Sequence, residues 1–129
     1  MTENEVSGIV VDSAIEVHRT LGGPGLLESV YEEALVWELE LRELEVSRQL
    51  LVPIPYKGRF LATPLRLDLR VSGLIIVECK ATAQLNPIFR AQLLTYLRLT
   101  GLKLGLVVNF GEAALITGIQ RVVNGLCLR

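Results

Sequence analysis

The sequence predicts a mixed α/β fold: one β-sheet flanked by helices, with a helical pair at its N-terminal end. Three observations carry the prediction. The first 45 residues fall into two stretches of helical periodicity parted by the break Leu21-Gly22-Gly23-Pro24-Gly25. Residues 65–71 alternate apolar and polar side chains, and across Ser72-Gly73 residues 74–80 form a second apolar stretch that ends in Glu78 and Lys80, as paired strands do. Leu104 to Phe110 is a nearly continuous apolar run, as expected of a strand covered on both faces.

The first helix runs from Glu5 to Thr20, with Ile9, Val10, Ser13, Ala14 and Val17 as its buried stripe. The second runs from about Leu26 to Leu44. Its apolar face is Val30, Ala34, Trp37, Leu41 and Leu44, and Glu32, Glu33, Glu40 and Glu43 form its solvated side. Val46 to Tyr56 is a strand. Pro53 and Pro55 cannot donate to a ladder and suit it to a sheet edge. Tyr56-Lys57-Gly58-Arg59-Phe60 turns into a short return strand, and Leu65–Val71 and Leu74–Lys80 are the next two strands. The helix Pro87–Thr100 is the best marked. Asn86 caps it, Pro87 fits the first turn, where no N–H is needed, and Gly101 supplies the left-handed stop. Ala114 to Val123 adds a last strand or short helix.

At 129 residues the chain reads as one domain, 1–129, long enough to bury a real core. Half of it is hydrophobic, yet no apolar run reaches bilayer length. The opening Met1-Thr2-Glu3-Asn4-Glu5 is acidic, which argues against a signal peptide. The apolar surplus covers both faces of the sheet and leaves some for self-association into a homo-oligomer. Cys79 and Cys127 lack metal-ligand spacing and make no disulfide framework, so a cytoplasmic location is expected.

A net charge of −1 conceals an asymmetry. Residues 1–45 hold eleven Asp/Glu against two Lys/Arg, a balance of −9. Residues 46–129 hold three against eleven, a balance of +8. The basic half either faces an anionic partner or pairs with the acidic helices inside the fold.

The chemistry lies on the polar faces of the central strands. Leu65–Val71 carries Arg66, Asp68 and Arg70 opposite an apolar face. Leu74–Lys80 has Ile75, Val77 and Cys79 on one face and ends in Glu78 and Lys80 on the other. With the apolar faces matched, Asp68, Glu78 and Lys80 converge on one cleft. The match has a condition. A two-residue turn at Ser72-Gly73 would pair Asp68 with Val77 and split the carboxylates, so the connection must have odd length, with Gly73 at positive φ. Carboxylate oxygens suit a hard cation, Mg²⁺ or Mn²⁺, and a lysine beside it can hold a water or steady charge on a phosphate. Gln92 and Tyr96, four apart on the next helix, share a face that can turn to this cleft. Singly, Gln92 reads as an exposed helix residue and Tyr96 as a core aromatic. Likewise Glu28 reads as a stabilising charge at a helix N-terminus, and His18, the only histidine, as a partner of a helix C-terminus.

Taken together and in order, these residues resemble the GxxExxY family of the PD-(D/E)XK nuclease superfamily. The naming motif stands as Gly25-Leu26-Leu27-Glu28-Ser29-Val30-Tyr31. The likeness continues through Tyr56-Lys57-Gly58, Arg66-Leu67-Asp68-Leu69, Ile76-Val77-Glu78-Cys79-Lys80, Ala91-Gln92 to Tyr96-Leu97, and Asn109-Phe110-Gly111. The glycine loop is one residue longer than usual, and Ile88-Phe89-Arg90 replaces a more polar segment. The resemblance implies a restriction-endonuclease-like core in which Asp68 and Glu78 hold Mg²⁺ (or Mn²⁺) and Lys80 helps to activate water. It implies roles for Gln92 and Tyr96 as the Gln and Tyr of the RecB-like branch. Glu28 matches that branch's N-terminal helix acid, and His18 an additional metal ligand. The activity expected is phosphodiester hydrolysis in nucleic acid, DNA ahead of RNA. Arg66, Arg70, Arg90 and Arg98 are then candidate backbone contacts. The competing readings are a non-catalytic nucleic-acid-binding or assembly protein, and a structural oligomer with Asp68 and Lys80 as a buried ion pair. Two carboxylates facing one lysine leave excess buried charge, which favours a cation.

Overall fold

The computed structural model describes residues 1–126; Cys127 lies outside them. Helix α1 spans Glu3–Thr20 and α2 Glu28–Leu41. Strands β1 (Val46–Val52), β2 (Pro55–Tyr56), β3 (Arg59–Phe60), β4 (Leu65–Val71) and β5 (Ile75–Lys80) follow. Then come α3 (Pro87–Thr100), β6 (Leu104–Asn109), a 3₁₀ turn at Leu115–Gly118 and β7 (Ile119–Val123). Five strands form one mixed sheet in the order β1-β4-β5-β6-β7, and β2 and β3 make a separate hairpin. Only β5 and β6 run parallel, and α3 is the crossover that joins them. One core lies between the sheet and α1–α2, the other between the sheet and α3. No helix of the described residues is long and apolar enough to cross a membrane.

Local chemistry sets the helix ends. Thr2 and Glu5 form a capping box, each backbone N–H donating to the other's side chain at 3.2 Å, and α1 therefore starts at Glu3 rather than Glu5. Asn86 Oδ1 accepts the Ile88 N–H at 3.0 Å, and Gly101 ends α3 with φ of 74°. Helix α2 is shorter than its apolar pattern suggests and rotated from the expected face. It buries Tyr31, Glu32, Leu35 and Leu39, whereas Val30, Trp37 and Leu41 are exposed, Trp37 by 69%. Val30, Ala34 and Trp37 instead line a groove of about 400 Å³ beside Val17 of α1 and Leu21, which follows it.

Tyr31 accounts for the rotation. Its ring stacks on Phe110 with centroids 4.7 Å apart, and its hydroxyl donates to Gly23 O at 2.7 Å. The same oxygen accepts the Leu26 N–H at 3.1 Å. The glycine loop is thereby clamped against the first buried turn of α2, and Glu32, one residue on, is carried inward with Tyr31.

The connection between β4 and β5 has three residues, Ser72 to Leu74. Ser72 and Gly73 take φ of 54° and 65°, and the Leu74 N–H closes the turn on Val71 O at 3.0 Å. The resulting register pairs Val71 with Ile75, Arg70 with Ile76 and Leu69 with Val77. This is the odd-length connection that places Asp68 opposite Glu78. Strand β4 departs from expectation in one respect: its apolar residues do not share a face. Leu69 and Val71 join the core beneath α1–α2, and Leu65 and Leu67 the core beneath α3.

Candidate active site

The β4–β5 ladder stops after Leu69 and Val77, where Asp68 and Glu78 come next in line. There each side chain takes over the role of a backbone carbonyl. The Asp68 N–H donates to Glu78 Oε2 at 2.8 Å, and the Cys79 N–H donates to Asp68 Oδ2 at 2.9 Å. The backbone stays hydrogen-bonded although the ladder has ended, which permits a cleft at this point. Each carboxylate spends one oxygen on the fold and keeps another.

Lys80 follows Glu78 on the same side of β5, and its backbone is anchored through β6. Register pairs it with Asn109, and the Phe110 N–H donates to Lys80 O at 2.8 Å. Asn109 is fully buried, and both ends of its amide are engaged. Oδ1 accepts from Thr82 N–H and Gly111 N–H, and Nδ2 donates to Thr82 O, each at 3.0 Å. The Lys80 ammonium sits 4.5 Å from the centroid of the Phe89 ring, a cation–π contact made by the apolar turn of α3. Among the described residues no ion pair joins Lys80 to Asp68.

Burial and mutual repulsion shape the electrostatics. Glu78 is 7% exposed; desolvation, then the Asp68 charge, push its pKa up to about 8. Burial also raises Asp68, and the Cys79 N–H partly offsets this. Burial raises Glu28 as well, with Lys80 opposing and Asp68 adding to the shift. Tyr96 is raised by burial and then by the charges of Glu78 and Asp68. These couplings place Glu28 in the field of Asp68, and Tyr96 in the field of both acids. Cys79 is fully buried and its thiol is pushed well up by that burial, so it is no nucleophile here.

Other expected residues sit less centrally. His18 is buried and its Nε2 donates to Glu112 O at 2.9 Å, beside the Phe110 ring. Gln92 is exposed on α3. Arg66, Arg90 and Arg98 are exposed and Arg70 is half-buried; Arg90 Nη1 donates to Arg121 O at 3.0 Å.

Two polar residues absent from the expected set belong to the site's surroundings. Glu32, expected in solvent, is only 5% exposed. It accepts from Gln49 Nε2 at 2.8 Å and Arg48 Nε at 3.4 Å, and its charge acts on Asp68, Glu78 and Glu28. The signal for Glu32 was present: four residues after Glu28, it shares that helix face. Gln49 gave no such signal, because a left-handed turn inside a strand leaves no mark in hydrophobic periodicity.

Among the described residues, no three His, Cys, Asp or Glu side chains gather closely enough to hold a metal by themselves. The site instead offers two facing carboxylates and an excess of buried negative charge. That donor set fits a hard divalent ion that keeps several waters, as Mg²⁺ does.

A family model described as the PD-(D/E)XK nuclease superfamily matches residues 4–122. No curated protein and no solved structure matches the chain. The match takes in both helices of the N-terminal pair, Asp68, Glu78-Cys79-Lys80 and α3 on the sheet described above. The chain belongs to the PD-(D/E)XK nuclease superfamily.

Proposed function

We propose that the chain is a cytoplasmic, metal-dependent nuclease that hydrolyses phosphodiester bonds of nucleic acid, DNA ahead of RNA. The observation that supports this most is the mutual capture of Asp68 and Glu78 at the end of the β4–β5 ladder, with Lys80 on the same side. Amide side chains would accept the same backbone N–H groups without setting two buried acids against each other. A cation between them removes the repulsion.

Asp68 and Glu78 would hold Mg²⁺ or Mn²⁺, and Glu28 would add a carboxylate directly or through water. His18 would reach that ion only through Nδ1, since Nε2 is held by Glu112 O. The bound ion supplies positive charge that polarises the scissile phosphate and lowers the pKa of a water. Lys80, steadied over Phe89, orients the attacking water and offsets charge on the pentacovalent phosphorus. Tyr96 contacts the phosphate, and Gln92 positions the lysine or the water. Arg66, Arg70, Arg90 and Arg98 contact the nucleic-acid backbone without reading sequence.

The test is calorimetric titration with Mn²⁺ and Mg²⁺, paired with a cleavage screen over single- and double-stranded DNA and RNA. Saturable metal binding with metal-dependent cleavage is expected. Nucleic-acid binding with neither would instead indicate a non-catalytic binding protein.

A further inference from the structure

Strands β1 and β4 change faces at the same level of the sheet. In β1, Val46 packs in the core beneath α1–α2, whereas Leu50 and Val52 pack in the core beneath α3. In β4, Val71 and Leu69 lie in the first core, and Leu67 and Leu65 in the second. Within each strand these residues are separated by even numbers, so regular alternation would keep them on one side. The reversal falls between Val46 and Leu50 in β1 and between Leu69 and Leu67 in β4. Gln49 occupies the first interval and Asp68 the second.

The register confirms that these two residues face each other. Arg48 pairs with Leu69 and Leu50 with Leu67, and the Gln49–Asp68 step between them is missing from the ladder. Gln49 has φ of 52°. A left-handed backbone is sterically disfavoured for any residue with a Cβ and is uncommon within a strand. Sparsely populated backbone of this kind persists where the surroundings impose it, often beside a functional site.

The side chain shows what the turn accomplishes. Although Gln49 lies at the surface, its Nε2 reaches inward to buried Glu32 at 2.8 Å. It also stands opposite Asp68, at the step missing from the β1–β4 ladder. A primary amide has two N–H donors and no charge. It can therefore lie between two carboxylates that would otherwise repel. Glutamate here would add to the repulsion, and lysine would cancel the negative charge that draws in a cation.

We infer that Gln49 is a positioning residue: its left-handed backbone turns β1 and β4 over at the level of Asp68, and its amide braces the Asp68 carboxylate against buried Glu32. This rests on the metal-site reading given above. An irregularity that only blunted an edge strand would need no particular side chain at position 49.

Gln49→Gly and Gln49→Asn separate the two roles. Both residues accept positive φ; glycine lacks the amide, and asparagine holds it one methylene short. The readouts are thermal melting and Mn²⁺ affinity by calorimetry. The expected result is a melting temperature at or above wild type for at least one variant, with Mn²⁺ bound at least ~10-fold more weakly, a factor equal to about 1.4 kcal/mol. Where a variant cleaves nucleic acid, kcat should fall while KM stays near wild type. Folded variants that bind Mn²⁺ as wild type does would overturn the inference and leave the metal site standing. Wild-type protein that binds no Mn²⁺ would overturn both. If glycine fails to fold, the asparagine variant decides alone by the same criterion.

Discussion

Asp68 and Glu78 each accept a hydrogen bond from the other's strand, Asp68 N–H to Glu78 Oε2 at 2.8 Å and Cys79 N–H to Asp68 Oδ2 at 2.9 Å. The two acids are therefore part of the sheet as well as of the cleft. Loss of charge and loss of a backbone acceptor are distinct perturbations here, and isosteric amides separate them.

Asp68→Asn keeps an oxygen for the Cys79 N–H and removes a buried charge that repels an ionised Glu78. It should fold with a melting temperature equal to or above that of the metal-free wild type, and saturable Mn²⁺ binding should be lost. Asp68→Ala also strands a buried N–H, which costs about 1–3 kcal/mol. Its melting temperature should drop below that of the asparagine variant. Calorimetry and thermal melts on the three proteins test both statements; unchanged Mn²⁺ affinity in Asp68→Asn would remove Asp68 from the metal site.

Glu78 predicts an unusual pH dependence for the metal-free protein. Its pKa rises from an ordinary 4.5 to about 8 in the fold. Between these values the native state holds a proton that the unfolded chain has released, so stability falls as pH rises through the window and levels off above it. An ion-paired carboxylate would give the opposite slope. In chelator, the melting temperature of wild type should decline between about pH 5 and about pH 8 more steeply than that of Glu78→Gln. Saturating Mn²⁺, which favours the ionised carboxylate, should abolish the difference. Parallel slopes in chelator would show that Glu78 ionises normally.

Much of this arrangement was legible in the sequence, because local rules decided it. Asn86, Pro87 and Gly101 fixed α3, and the need for Asp68 and Glu78 to share a side fixed the odd length of the Ser72–Leu74 connection. Helix α2 was not legible. Val30, Tyr31, Ala34, Leu35, Val36, Trp37, Leu39 and Leu41 wrap most of its circumference, so periodicity could not choose a face. The choice was made by Tyr31 stacking on Phe110, a contact across 79 positions of chain. Glu32 was misplaced with that face, and the face reversal at Gln49 and Asp68 was hidden by apolar spacing that suits an uninterrupted strand.

The Tyr31 clamp and the Gly111 contact should both be visible in stability. Tyr31→Phe keeps the ring on Phe110 and deletes the hydroxyl that serves Gly23 O and Leu26 N–H, a loss of about 1–3 kcal/mol. Gly111→Ala should cost at least as much, because its Cβ would lie 2.1 Å from Thr82 O, and backbone cannot swing aside. Gly8→Ala is the control: nothing lies within 4 Å of that Cβ in α1, and helix propensity should stabilise it by up to ~1 kcal/mol. Chemical denaturation of the three variants should rank Gly8→Ala above wild type and the other two below it.

Lys80 separates an enzyme from a binding protein that keeps the fold. Its ammonium lies over Phe89 and forms no ion pair with Asp68 among the described residues, so no salt bridge between them is broken when its charge is removed. A group that acts only as charge builds on phosphorus lowers the barrier without tightening the ground state. Lys80→Ala should therefore lose cleavage by a factor on the order of 10² or more, with KM and nucleic-acid affinity nearly unchanged. Ten other Lys/Arg in residues 46–129 remain to meet phosphates. Lys80→Met is the companion variant, since it retains an apolar stem against Phe89 and removes only the charge. The two should lose activity alike if the charge matters, whereas a packing role would leave methionine near wild type. Cleavage surviving intact in both would trace it to another nuclease in the preparation. Binding without cleavage in wild type, under every metal and substrate tried, would make the protein a non-catalytic member of its superfamily.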